Sequence, residues 1–209
     1  MKTKKLLAYH GDPKIKELYI KRVKAHQKAD RIIKGKYWED GKGCAVGCTI
    51  EGNEHSKYET ELGIPEILAR LEDGLFEEMF NEEAMKFPLR FLEAIPVGAD
   101  LSKVFTKLVI WEWEDPTHGL KNIKEIADDK ELVDCCEKVV KLYKKVLAGK
   151  KVKDDEWIAL EQLVDKIYYA GAGATATAGA WATAWAGAEY EKQISITAEK
   201  LLDLLKESK

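Results

Sequence analysis

The chain has 209 residues, of which 45% are hydrophobic and 34% are charged, with a net charge of −3. This is enough apolar material for one substantial core, and the balanced charge argues against a nucleic-acid-binding surface, which needs clustered positive charge. The N-terminus lacks the apolar run of a signal peptide, and no 18-residue apolar span occurs. We therefore expect a cytoplasmic protein with reduced thiols and no membrane association.

The first predicted element is a helix over 12–35. Asp12 followed by Pro13 is a favourable helix start, apolar residues then recur at helical spacing, and Gly35 stands where a C-terminal glycine is expected. Residues 36–63 lack this periodicity. We predict that they form an ordered glycine-rich loop, with at most one helical turn or a short hairpin.

A helical core is predicted over 64–147. Pro65, Asp100 and Asp129 each precede an apolar stripe with helical spacing, and each residue type is favourable at a helix start. Gly149 ends the last of these helices. With the helices on either side, the sequence predicts an all-α single domain, a bundle of about seven helices with one glycine-rich ordered loop.

An alanine-rich segment follows the core. From Ala170 to Ala188 every even position is alanine. Strict alternation is typical of a strand, but alanine is the best helix former, so we predict alanine-rich helices over 153–207. On a helix, small residues at spacing four form a narrow small-residue stripe through which two copies of the chain could pack closely. Its members are Gly171, Thr175, Gly179, Thr183 and Gly187. Trp181 and Trp185 form an adjacent aromatic ridge, a candidate binding surface.

The glycine-rich loop carries the densest chemistry of the chain. Its reactive side chains are Cys44, Cys48, His55, Tyr58, Glu59 and Glu61. One interpretation is a nucleophilic site. Cys44 follows a glycine at a predicted helix N-terminus, where the dipole lowers the pKa of a thiol. His55 would then act as base and Glu59 or Glu61 would orient it, with Tyr58 in a binding role.

Two other interpretations of the loop remain open. Cys44, Cys48 and His55 could bind zinc, although structural zinc sites more often begin with C-x-x-C than with C-x-x-x-C; no other cofactor is indicated. Alternatively, the two cysteines are small apolar residues that pack the loop against the helices, and the polar residues cap the helix at Pro65. We favour this packing interpretation.

Two further predictions concern burial. Glu72, Asp73, Glu77 and Glu78 form an acidic patch, which is usually a solvated helix face. Cys136 lies on a core stripe and is predicted to be inert, whereas the thiols of a glycine-rich loop should be more accessible.

Several segments resemble a large family of phage, prophage and bacterial proteins without established activity. They are 43–49 (GCAVGCT), 55–65, 68–73 (LARLED), 95–102 and the closing 198–205. The family also has an alanine-rich C-terminal helix, in which Ser, Trp, Tyr and Arg stand where this chain has Thr and Gly. The resemblance implies an all-helical fold and a phage origin, but no catalytic residues.

We therefore expect a small cytosolic binding or regulatory protein, an accessory protein of a phage or prophage that acts on a host protein. The alternative is a small-molecule enzyme or a metal-binding protein that uses Cys44, Cys48 and His55.

Overall fold

Helices make up nearly all of the regular structure. The computed structural model describes residues 5–173 and 188–209, and the predicted all-α fold class is confirmed. The helices are α1 (Pro13–Lys28), α2 (Ala45–Ile50), α3 (Lys57–Leu62), α4 (Glu66–Glu78), α5 (Asn81–Ala94), α6 (Val104–Glu114), α7 (Lys124–Ala127), α8 (Lys130–Leu147), α9 (Asp154–Gly173) and α10 (Ala188–Lys206). Strands β1 (Trp38–Glu39) and β2 (Lys42–Gly43) pair to form an antiparallel hairpin.

The predicted bundle is divided into two compact units. Unit 1 comprises Met1–Phe105 with Thr197–Lys209, and unit 2 comprises Thr106–Ile196. In unit 1, α5 packs against α1 and α4, and α2 packs against the same two helices and α5. Its largest fully buried side chains are Tyr9, Tyr58, Leu62, Ile64, Leu68, Phe76, Phe87, Phe91, Leu92, Ile95 and Leu201.

The first helix starts where the sequence predicts but ends well short of Gly35. The Asp12 carboxylate accepts a hydrogen bond from the Lys14 amide at 2.8 Å, and Pro13 occupies the first turn. The helix ends at Lys28 because the following segment runs beside the hairpin and buries Ile32 there. Extended pairing therefore replaces the last predicted helical turns.

The predicted loop over 36–63 contains more regular structure than expected. It forms the β1–β2 hairpin and the two short helices α2 and α3. The left-handed residues Asp40 and Gly41 make the hairpin turn, and Gly63, also left-handed, ends α3. The short hairpin was one of the predicted possibilities, whereas the two helices exceed the single predicted helical turn.

Unit 2 has its own small core. Trp113 of α6, Ile126 of α7 and Val140 of α8 form its buried centre, and Cys136 is among the partly buried residues around them. Helix α8 begins where the sequence predicts, and Asp129 caps it, because its carboxylate accepts a hydrogen bond from the Leu132 amide.

The alanine-rich prediction is tested only at its edges. Helix α9 reaches Gly173 and α10 begins at Ala188. Residues 174–187, with Trp181, Trp185 and most of the small-residue stripe, lie outside the described residues. Within the described part of the chain, no helix is long and apolar enough to cross a membrane.

Candidate functional site

The glycines of the loop allow a close approach between two backbone segments. The Tyr37 carbonyl lies directly against Gly43 and Gly47. A Cβ atom at these glycines would come within 1.9 Å and 1.5 Å of its oxygen. The Cys44 amide donates to the carbonyls of Lys36 and Tyr37. Only glycine, which has no Cβ atom, permits this approach.

Cys44 occupies the predicted helix start, but its thiol is not activated there. Its side chain caps α2 by accepting a hydrogen bond from the Gly47 amide at 3.4 Å. Burial and then proximity to Asp73 raise the pKa of the Cys44 thiol well above its usual value. The expectation that the helix dipole lowers this pKa is wrong, because burial to 1% exposure outweighs the dipole of a six-residue helix.

The Cys48 thiol has different hydrogen-bond partners from the Cys44 thiol. Its thiol, fully buried, donates to the carbonyls of Gly43 at 3.3 Å and Arg31 at 3.5 Å. Burial raises the pKa of the Cys48 thiol to about 11. These contacts fit the packing interpretation, in which the thiol is a small core group with a weak donor.

The structure brings Cys44 and His55 to a common carboxylate, that of Asp73. The Nε2 atom of His55 lies 3.4 Å from Asp73 Oδ2, and both residues are buried. One ligand atom each from Cys44, Asp73 and Glu77 lies within 4.8 Å of the other two. The Tyr37 ring covers His55 edge-on, with 5.3 Å between ring centroids. We call Cys44, His55, Asp73 and Glu77 the α4 cluster, since two of its members lie on α4.

The other predicted site residues make structural hydrogen bonds. Glu59 accepts from the Glu66 amide and so caps α4, as the packing interpretation has it. Glu61 accepts from the Tyr19 hydroxyl. In the described part of the chain His55 pairs with Asp73, which takes the role that the nucleophilic interpretation gave to Glu59 or Glu61.

Tyr58 binds to a buried acid. Its hydroxyl donates to Glu72 Oε2 at 2.7 Å, and both side chains are fully buried. Burial raises the pKa of Glu72 well above its usual value, and the adjacent Asp73 raises it further. Burial therefore shifts the protonation equilibrium of Glu72 toward the neutral acid.

The prediction of a solvated acidic patch on α4 is wrong for two of its members. Glu72 is fully buried and Asp73 is nearly so. The reason is positional, since Glu72 lies four residues after Leu68 and four before Phe76, on the apolar face of the helix. That spacing was the sequence signal for a buried carboxylate, and it was missed because the residue is charged.

The order of thiol reactivity follows from burial. We expect iodoacetamide to modify Cys136, which is only half-buried, before Cys44 and Cys48. This reverses the order predicted from the sequence, because both loop thiols are buried, at 1% and 0% exposure. Partial alkylation followed by peptide mass spectrometry measures the order. Earlier labelling of either loop cysteine would contradict the described packing.

Comparisons with known proteins give no assignment. Models of known protein families do not match this chain, and neither do curated proteins or solved structures. The resemblance to phage and prophage proteins therefore stays a prediction. The side-chain contacts of the loop and of α4 are the remaining basis for a function.

Proposed function

We propose that this protein acts by binding a protein partner, as a small binding or regulatory protein. The observation that carries the proposal is a pair of exposed aromatic side chains on adjacent segments. Tyr37 is 51% exposed and Phe80 is 59% exposed. Exposed aromatic residues are enriched at the centres of protein interfaces, because they bury a large area with few rotatable bonds.

The two aromatic residues stand on backbone segments that are bound to each other. The Gly35 amide donates to both carboxylate oxygens of Glu77, at 3.0 and 2.9 Å. The Lys34 ammonium donates to the Met79 carbonyl. We call this surface, defined by Tyr37 and Phe80, the aromatic edge.

The backbone of the aromatic edge is preorganised. The Tyr37 carbonyl is wedged against Gly43 and Gly47. Binding a partner would therefore cost little free energy for ordering this segment, and preorganisation of this kind increases affinity.

The enzyme alternative is less well supported by the same site. Nucleophilic catalysis by cysteine requires a thiolate, and the pKa of both loop thiols is raised by burial. Three open surface depressions, of about 350, 360 and 450 Å³, are lined by other parts of the chain. Cys44, Cys48 and His55 line none of these three.

The partner class follows from the resemblance given above, which itself is a prediction. An accessory protein of a phage or prophage would meet proteins of the bacterial host, so a host protein is the proposed partner. Self-association through the small-residue stripe, and binding through Trp181 and Trp185, remain predictions for residues outside the described ranges.

Site-specific photocrosslinking in bacterial cells tests the proposal. A photoreactive amino acid replaces Phe80 in one variant and Leu18, a similarly exposed apolar residue of the same unit, in a matched control. We expect a discrete crosslinked host protein from position 80 that is absent from position 18. Adding Tyr37→Ser should abolish the crosslink while the thermal unfolding curve stays close to that of the parent.

Two outcomes would contradict the proposed function. The first is an identical set of crosslinks from both positions, which would indicate non-specific contact. The second is a crosslink from position 80 only to another copy of this chain, since the aromatic edge would then be a self-association surface.

A further inference from the structure

The α4 cluster combines ligand types that are typical of a transition-metal site. It offers a thiol from Cys44, an imidazole from His55 and carboxylates from Asp73 and Glu77. Sulfur, nitrogen and oxygen donors in one set are favoured by zinc and similar divalent ions, whereas calcium and magnesium prefer oxygen alone.

Three of the four ligands lie close enough together to share an ion, and His55 joins them through Asp73. With bonds of about 2.0 to 2.3 Å, neighbouring ligand atoms of tetrahedral zinc lie roughly 3 to 4 Å apart. His55 Nε2 and Asp73 Oδ2 are 3.4 Å apart, and the thiol and the two carboxylates lie within 4.8 Å of one another.

An unsatisfied buried oxygen of Asp73 provides a second observation. Asp73 is only 8% exposed, and its Oδ1 atom has no hydrogen-bond partner among the described residues. Burying a carboxylate without full compensation is costly, and a cation is the strongest compensation available. The unpartnered oxygen thus belongs to Asp73, which is itself a member of the α4 cluster.

We propose that Cys44, His55, Asp73 and Glu77 bind one divalent transition-metal ion of the zinc class. This ligand set differs from the one predicted from the sequence, because Asp73 and Glu77 replace Cys48, whose thiol is bound to backbone carbonyls. The site does not depend on the proposed protein partner.

Glu77 would share its carboxylate between two functions. Both of its oxygens now accept from the Gly35 amide. Turning one oxygen to the ion leaves the other for the amide, so the metal would be bound without freeing the 34–37 segment.

Cobalt spectroscopy of the full chain, first treated with a chelator, tests the site. Co²⁺ is added to the parent, to Cys44→Ala and to the matched control Cys48→Ala. We expect a thiolate-to-cobalt charge-transfer band in the parent and in Cys48→Ala, and its loss in Cys44→Ala. Zinc should displace the cobalt and raise the Tm of the parent, because an ion that binds only the folded state stabilises it.

Asp73→Asn keeps the size of the side chain and provides the second variant. Loss of the charged ligand should weaken zinc binding by roughly 100-fold, at the upper end of the range known for residues that support a metal site. This variant decides the matter if Cys44→Ala fails to fold.

Three results would overturn the proposal. In the first, the parent shows neither the charge-transfer band nor a zinc-dependent rise in Tm. In the second, the band is lost in Cys48→Ala but kept in Cys44→Ala. In the third, the zinc affinity of Asp73→Asn equals that of the parent.

Discussion

Replacing Gly47 with alanine should destabilise the protein by about 3 kcal/mol, at the upper end of the usual cost of overpacking. The added methyl group would lie 1.5 Å from the Tyr37 carbonyl oxygen and 2.5 Å from its carbon. Both are backbone atoms, so relief requires the 36–38 segment to move and the hydrogen bond from the Cys44 amide to stretch. For a chain of this size the Tm should fall by roughly 6 to 12 °C.

Gly74→Ala is the matched control for this substitution. Gly74 also lies inside a helix, α4, but a Cβ there meets no atom within 4 Å. Alanine should therefore stabilise the helix by roughly 0.5 to 1 kcal/mol. Thermal and urea unfolding of the two variants measure the difference. Equal stability of Gly47→Ala and the parent would show that the Tyr37 carbonyl does not lie where the structure places it.

Tyr58→Phe should be the second most damaging of the substitutions considered, at about 1 to 3 kcal/mol. The change removes the hydroxyl that donates to Glu72 Oε2, and Glu72 Oε1 already lacks a partner among the described residues. A fully buried carboxyl group would then lose its hydrogen bond from Tyr58. Urea unfolding at a fixed pH gives the free-energy change.

A double-mutant cycle separates the hydrogen bond from the packing. Glu72→Met is similar in volume and leaves the Tyr58 hydroxyl without its acceptor on α4. Because replacing both partners by apolar groups is close to neutral, the double variant should be more stable than the sum of the single changes by roughly 0.5 to 3 kcal/mol. Strictly additive changes would mean that the pair contributes nothing beyond its separate packing.

The helix starts of this protein could be predicted from single residues. Asp12 with Pro13, and Asp129, combine a capping side chain with an apolar stripe, and both helices begin there. Such signals are local, so the rest of the fold does not alter them. The all-α fold class follows from the same patterns.

The end of the first helix could not be predicted in the same way. Residues beyond Lys28 are compatible with a helix, but Ile32 pairs with Gly43 and is buried there. That pairing joins residues eleven positions apart and depends on the tertiary position of the hairpin. The glycine at position 35 serves the loop, with a left-handed backbone, and does not end a helix.

The site was only half visible in the sequence. Cys44 and His55 stand out because of their chemistry, and both lie close to one buried carboxylate, that of Asp73. That carboxylate comes from α4, and its burial depends on how α4 packs against α2. Proximity in sequence suggested Cys48, Glu59 and Glu61 instead, but these three residues make hydrogen bonds to other groups.

The contact of the Tyr37 carbonyl with Gly43 and Gly47 affects how this chain should be compared with its homologues. Any homologue that keeps this backbone crossing must keep Gly43 and Gly47, whatever it binds, because every other residue carries a Cβ atom there. A shared G-C-A-V-G-C motif would thus indicate that two proteins share this backbone arrangement, and would not indicate that they share an activity. Functional divergence within such a lineage should instead be sought at Asp73, Glu77 and Phe80, which this steric requirement does not constrain.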